Sequence, residues 1–460
     1  MRFEAGTAGA TTYAREAGYI ITSAIPLIVT FFLQYCLPIT SLVVLGHLGP
    51  SELAAASLAV MTYNITGLAI FEGMTTSLDT LCAQAYGSGN YTLVGAYFQR
   101  ASAMMLTLLL PMALFWFNSG AVLRLVVDDD DVCAMAQTFL RVVAFGAPGY
   151  IFFESGKRFV QSQRLFNACT YVLAFVAPLN FALTYALVYP AGLGFVGAPI
   201  AVALMYWLTA ALLLLYVVFV DGRKCWGGLD ISDAFSFQNW APIGRLALPG
   251  VVMVLAEFSV FEILTLLSSF FGTEALAAQS IATSLGSLIF QLPFALAVGI
   301  STRIAHYVGS RQPHAAQVMT HLSYAIGGVI SVFNFMVLYF GRYYLARLFS
   351  LHDSVIEPAA ETIKVLALVQ LCDGFNVTFA GVLRGQGRQR IGSVLNLVCY
   401  YLIALPSSVY LAFSRGWELD GLWAGYGVGV VVLSVCEGVL IWRSDWAVIV
   451  REAQKRIEGD

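Results

Sequence analysis

The sequence predicts an all-α integral membrane protein of twelve transmembrane helices, built as two six-helix repeats. Three observations predict it. The chain of 460 residues is 59% hydrophobic and only 11% charged, with a mean hydropathy of +0.78, where a soluble domain carries about 25% charged residues. Apolar runs long enough to cross a bilayer, each near the ~20 residues a span requires, recur along its whole length. Leu, Val, Ala and Phe fill these runs without strand-like alternation, which points to helices rather than barrel strands.

In order, the apolar windows fall at 19–45, 54–76, 101–118, 138–157, 168–189 and 196–220 in the first half. Those of the second half fall at 246–271, 277–300, 319–340, 362–383, 392–413 and 421–442. The chain then divides into a tail at 1–18, a lobe at 19–220, a linker at 221–245, a second lobe at 246–442 and a tail at 443–460. The first tail is short, polar and of mixed charge, so no cleavable signal peptide is expected. Pro148, Pro178, Pro293 and Pro406 fall inside windows, where each frees a backbone carbonyl and kinks the rod.

An even number of spans puts both ends on one side, and basic residues choose it. Eighteen Lys and Arg fall in the tails and even-numbered loops, against four in the odd-numbered loops (Arg124, Arg342, Arg347 and Arg415). Both termini are therefore expected in the cytoplasm. The acidic run Asp128–Asp131 then lies in an outward loop, as a solvated tip. Asn90-Tyr91-Thr92, a glycosylation signature, lies on the cytoplasmic side and is expected to go unused.

The halves overlay with one offset, 223. Pro26 falls on Pro249, Gly49 on Gly272, Leu53–Ala59 on Leu276–Ala282 and Gln163 on Gln386. Six helices per repeat give both halves the same orientation, related by an axis along the membrane normal, which suits alternating access around a site between or within the bundles. At this offset Glu257 faces Gln34 and Asp373 faces Tyr150, so the ion site is expected in the second lobe.

Carboxylates inside spans carry the functional signal, because a charge at mid-helix costs roughly 2.5–3.5 kcal/mol on insertion scales. Glu257 and Glu262 lie near the middle of the seventh window, about 140° apart round the helix, so they do not point at one spot. Asp373 lies in the tenth window, with Asn376 one turn on along the same face. Glu72 in the second window is open to either a structural or a functional reading. Glu437 in the twelfth is expected to snorkel to the cytoplasmic surface, and Glu154 to form a helix-end charge cluster with Lys157 and Arg158. There is no GxxxxGK[ST] motif, so the energy source is expected to be an ion gradient. No nucleophile elbow, HExxH pair or paired-Cys site argues for an enzyme. The eight cysteines are scattered and five histidines form no ligand pair, so neither a disulfide framework nor a metal site is expected.

These stretches resemble the multidrug and toxic compound extrusion (MATE) family, in its eukaryotic branch. The resemblance rests on PLIVTFFLQYCLPITSLVVLGHLG from Pro26, GMTTSLDTLCAQAYGSGNY from Gly73, EFSVFEILTLLSS from Glu257, STRIAHYVG from Ser301 and LCDGFNVTFAGVLRGQGRQ from Leu371. It covers almost all of Pro26 to Trp442, in order. It implies two six-helix bundles around a central V-shaped cleft, and antiport in which a proton, or in some bacterial members sodium, enters as an organic cation leaves. Carried over residue by residue, the resemblance puts the functional carboxylates at Glu257, Glu262 and Asp373, and polar cavity positions at Gln34 and Asn64. Asn376 joins this set through its place beside Asp373.

The partners expected are thus a small organic cation, H⁺ and the lipid bilayer, with no cofactor, no nucleic acid, a monomer, and a plasma or vacuolar membrane. Sodium is the less favoured coupling ion. One departure stands out: Phe258 is followed by Ser259 where eukaryotic relatives often carry two aromatics, so substrate size does not carry over. Two alternatives stay open. A lipid-linked oligosaccharide flippase shares this fold but would be expected to show a large basic cavity, and no Lys or Arg cluster is visible inside the spans. A non-transporting receptor or scaffold would have little use for intramembrane carboxylates.

Overall fold

The computed structural model describes residues 11–459 apart from 126, 128 and 350–352. Asp128, His352 and most of the amino-terminal tail lie outside the described residues. Among the described residues, eleven helical spans are long and apolar enough to cross a membrane, and a bent helix pair taken as one span makes the twelfth. They are α1 (Tyr13–Gly46), α2 (Pro50–Ser88), α3 (Tyr91–Phe117), α4 (Asp130–Ala144 continued by Ala147–Ser162), α5 (Asn167–Val188) and α6 (Gly194–Phe219). The second set is α7 (Phe237–Phe271), α8 (Thr273–Gly309), α9 (Pro313–Phe349), α10 (Asp353–Gln386), α11 (Gln389–Ser414) and α12 (Glu418–Trp442). A last helix, α13 (Trp446–Gly459), follows outside the spans.

Local chemistry sets the breaks. The two parts of α4 meet at 53°, and Pro148 sits in the first turn of the second part, where its missing N–H costs nothing. Pro406 lies between two π-turns of α11, Val398–Ala404 and Tyr410–Ser414, which absorb the extra residues of a distorted helix. The acidic run is a cap: the Asp129 carboxylate accepts from the N–H groups of Asp131 and Val132 and opens α4. Asn90, of the glycosylation signature, caps α3 by accepting from Leu93 N–H.

The packing repeats with a period of six helices. In the first half α1 packs on α5, α5 on α6, α4 on α6, and α2 and α3 on α4; the same contacts recur as α7–α11, α11–α12, α10–α12, α8–α10 and α9–α10. Between the halves, α2–α7 and α1–α8 are exchanged by that relation, and α2–α8 maps onto itself. This is the signature of a pseudo-two-fold axis running between α2 and α8. Each half has its own core, around Leu78, Met105 and Leu140 in the first and Leu422, Trp423 and Leu433 in the second.

The helices outrun the apolar windows at the end of the bundle that holds the termini. Residues 77–88, 301–309 and 384–386 continue α2, α8 and α10. Apart from the last turn of α2, where Ser88 is exposed, they are buried by protein although rich in polar groups, and here the halves are fastened together. Thr80 Oγ1 donates to the Arg384 carbonyl (2.6 Å), Gln84 Nε2 to the Gly385 carbonyl (3.2 Å) and Gln389 Nε2 to the Thr76 carbonyl (2.9 Å). Arg303 holds Glu16 through two bonds of 2.7 and 2.9 Å, and His306 meets the Ser162 carbonyl at 2.7 Å. Arg100, Lys157, Arg158, Arg303 and Arg384, which the sequence places in loops, all lie within helices and are buried.

Candidate functional site

The two lobes meet most closely where α2 crosses α7. At Gly73 a Cβ would lie 2.5 Å from the Val251 Cα, and Gly250 faces the Gly73 carbonyl and Thr76 Oγ1 in the same contact, so only glycine allows the approach. One turn along α7 from Met253, and two from Gly250, comes Glu257, and the space beside it is a cavity of about 70 Å³. Thr76 of α2, Val254 and Glu257 of α7, Phe290 and Phe294 of α8, Asn376, Val377, Ala380 and Arg384 of α10, and Asn396 and Tyr400 of α11 line it.

Glu257 and Arg384 are the charged groups of this lining. Among the described residues no side chain hydrogen-bonds the Glu257 carboxylate, and no ion pair closes on it. The Arg384 guanidinium lies over the Phe294 ring at 5.4 Å, and its Nε has no partner. A carboxylate and a guanidinium share one largely apolar wall without neutralising each other.

Asp373 stands behind that wall. It is buried, accepts from Gln370 Nε2 at 3.0 Å, and has a long 3.5 Å contact from Asn376 Nδ2. Asn376 also reaches the Tyr400 hydroxyl at 3.5 Å, and Asn334 donates to Gln370 at 3.1 Å. A polar chain thus runs from Asn334 through Asp373 to the cavity lining. Glu262 is half-buried on another face of α7, outside the cavity lining and with no hydrogen bond among the described residues.

Gln34 and Asn64 belong to the first lobe. Gln34 donates to Glu154 Oε1 (2.6 Å) and accepts from Lys157 Nζ (2.9 Å), and Lys157 closes the triangle on Glu154 at 2.7 Å. Asn64 is half-buried and opens the π-turn Asn64–Leu68 of α2. The structure therefore brings Glu257 and Asn376 together around one cavity with Asp373 beside it, and leaves Glu262, Gln34 and Asn64 elsewhere.

One expectation is corrected. Glu437 does not snorkel: it is fully buried, and neither carboxylate oxygen has a hydrogen-bond partner. The cause is the packing of α12 along α10, which encloses the helix end in protein. Glu154, Lys157 and Arg158 do form a charge cluster near the end of their helix, but an enclosed one. All three are buried, with Arg158 3.1 Å from Asp79 and the Tyr150 hydroxyl 3.1 Å from Glu72. The first lobe therefore does hold intramembrane carboxylates, but each of these three has a partner.

Sequence reasoning missed Arg384, Tyr400 and Asn396 as lining residues. Arg384 lies in the GVLRGQGRQ stretch but was counted as a loop charge, while Tyr400 and Asn396 carry no signal that sets them apart. Among the described residues, no group of three His, Cys, Asp or Glu is placed to hold a metal ion.

Known proteins match this architecture along the whole chain. The family model described as MatE matches it twice, over residues 26–186 and 249–410. The chain belongs to the MATE family. The starts of the two matches are 223 residues apart (249 − 26), the same offset that overlays the halves. An uncharacterized transporter of Saccharomyces cerevisiae is 40% identical over 98% of this chain, which spans 65% of that relative's length. Protein DETOXIFICATION 14 of Arabidopsis thaliana is 30% identical over 97% of the chain and 92% of its own. Multidrug and toxin extrusion protein 2 of Mus musculus is 30% identical, over 96% and 77%. The crystal structure of the eukaryotic MATE transporter AtDTX14 superposes with a TM-score of 0.90 at 29% identity, covering 97% of this chain and 99% of that one. This MATE protein is thus a membrane efflux transporter with the 6+6 architecture.

Proposed function

We propose that this MATE protein exports small organic cations in exchange for protons, by alternating access between its two lobes. The observation that carries the reading is the Glu257 carboxylate, which faces a cavity of the second lobe, bordered by Thr76 of the first, with no protein partner of its own. An unpaired carboxylate at membrane depth requires a proton, a cation or water. A cation and a proton that compete for one carboxylate are exchanged in strict alternation.

Glu257 is the principal exchange group. Ionised, it holds the substrate's positive charge; protonated from the acidic side, it releases it. Asp373 supports this from behind the wall through Asn376, and Glu262 gives polar character to a separate face of α7. One unit of pH difference supplies about 1.36 kcal/mol per proton, enough for roughly tenfold accumulation. The protein acts as a monomer in the plasma or vacuolar membrane, with both termini in the cytoplasm.

The test is efflux of a fluorescent organic cation, ethidium, from proteoliposomes under an imposed pH gradient without sodium. Wild type is expected to transport, and Glu257→Gln to fold normally and transport nothing. Wild-type efflux by that variant would refute the role of Glu257, and a strict need for sodium would refute proton coupling.

A further inference from the structure

The linker between the lobes is built inside out. It leaves α6 where Phe219 and Val220 are exposed, and runs to the start of α7. Its polar groups bond to α3 of the first lobe. Gln99 of α3 donates to the Gly228 carbonyl at 2.7 Å and accepts from the Asp230 N–H at 2.9 Å. Arg100 of α3 holds the Asp233 carboxylate through two bonds of 2.8 and 2.9 Å, and Asn239 donates to the same carboxylate at 2.7 Å. At Gly95 of α3 a Cβ would lie 2.5 Å from the Cys225 carbonyl, so the linker rests directly on that helix. The large apolar side chains turn the other way: Leu229 is 70% exposed, Ile231 62%, Phe235 50% and Phe237 74%. The other four connections between spans at this end, 89–90, 163–166, 310–312 and 387–388, are short and expose no large apolar side chain.

We propose that the linker is an interfacial anchor, in which Leu229, Ile231, Phe235 and Phe237 dip into the phospholipid of the leaflet at the end of the bundle that holds the termini. They enter at the boundary between headgroups and acyl chains, and the bonds to α3 tie the first lobe to that depth. A loop bathed in water gains from the opposite arrangement, and a contiguous exposed apolar patch marks a membrane or protein contact. Two observations choose lipid as the occupant. The patch continues the exposed apolar end of α6 at Phe219 and Val220, which faces lipid because α6 is a span. The linker also starts and ends on spans, so its side chains sit at membrane-surface depth, where aromatic and aliphatic groups on an amphipathic segment settle. No carboxylate opposes this. Asp230 caps the turn Ile231–Ala234 by accepting from the Asp233 N–H at 2.9 Å, and Asp233 is held by Arg100 on the protein side.

The test is photolabelling of the full-length wild-type protein in proteoliposomes, with a phosphatidylcholine whose acyl chain carries a diazirine close to the glycerol. Adducts are mapped by peptide mass spectrometry. The linker peptide is expected to be labelled about as strongly as the exposed end of α6, which serves as the positive control, and well above the polar loop 310–312. A linker without adducts beside a labelled α6 would overturn the proposal. If light scattering then gave a doubled protein mass, a second copy of the chain would be the cover instead. This comparison needs no variant to fold. The double variant Leu229→Asp with Phe237→Asp is expected to lose the linker adducts and keep those on α6. Linker adducts undiminished in that variant would overturn the role given to the apolar side chains.

Discussion

Glu154 and Glu437 are both fully buried, and their surroundings give them opposite energetics. Glu154 is bonded to Lys157 and Gln34, so removing the lysine strands a charge. Lys157→Met is expected to destabilise the first lobe by roughly 3–5 kcal/mol, seen as a lower unfolding temperature in detergent. Adding Glu154→Leu should recover most of the loss; a double variant no better than the single would show that the pair does not act as a unit. Glu437 has no hydrogen bond to lose, so Glu437→Gln should leave the unfolding temperature unchanged or raised. Outside the membrane, the Arg100 guanidinium bonded to Asp233 holds that carboxyl below its usual range. A lowered folded-state pKa stabilises above the ordinary carboxylate range, and this is lost as pH falls through the lowered value. The difference in unfolding temperature between wild type and Asp233→Asn should therefore be full at pH 7 and shrink below about pH 4. A gap that persists in acid would reject this linkage.

Among the elements, the α2–α7 crossing is the most exacting. Gly73→Val would drive a side chain into the Val251 backbone, and overpacking of this kind costs about 1–3 kcal/mol. Efflux by this variant should fall sharply, with only a modest loss of folded protein in size-exclusion profiles; unimpaired efflux would show that the crossing is not needed for transport. Hydropathy found the spans because lipid selects for apolar residues, and the offset of 223 exposed the six-helix repeat. Hydropathy could not find the helix ends at 77–88 and 301–309, because protein rather than lipid buries them and their polar groups bond across the lobes. The same blindness misplaced Glu437 and Lys157. A window average reports how wet a segment is, and cannot tell a surface charge from one enclosed by neighbouring helices. Glu257 and Asp373 were conspicuous as lone carboxylates in apolar runs, whereas Tyr400 and Asn396 are ordinary residues made important only by where α11 puts them.

For the whole molecule, the bonds from Thr80, Gln84 and Gln389 to the opposite lobe close the side that holds the termini. Alternating access requires this seam to part. Thr80 is fully buried, so Thr80→Cys, in a background without the native cysteines, should resist a membrane-permeant thiol reagent at rest and react during turnover. Equal labelling in both conditions would mean that the lobes do not separate there.

Helix α13 gives that seam a mechanical side. Gln454 is bonded to the Gly309 carbonyl of the second lobe, while Arg456, two residues on, is bonded to Gln84 of the first. Two anchors on opposite banks cannot both survive a widening gap. The helix is a fuse across the seam, and the weaker anchor decides which bank it rides with. A fluorophore on the exposed Glu452 would then travel relative to one lobe and stay fixed to the other, reporting each stroke of the cycle from outside the membrane.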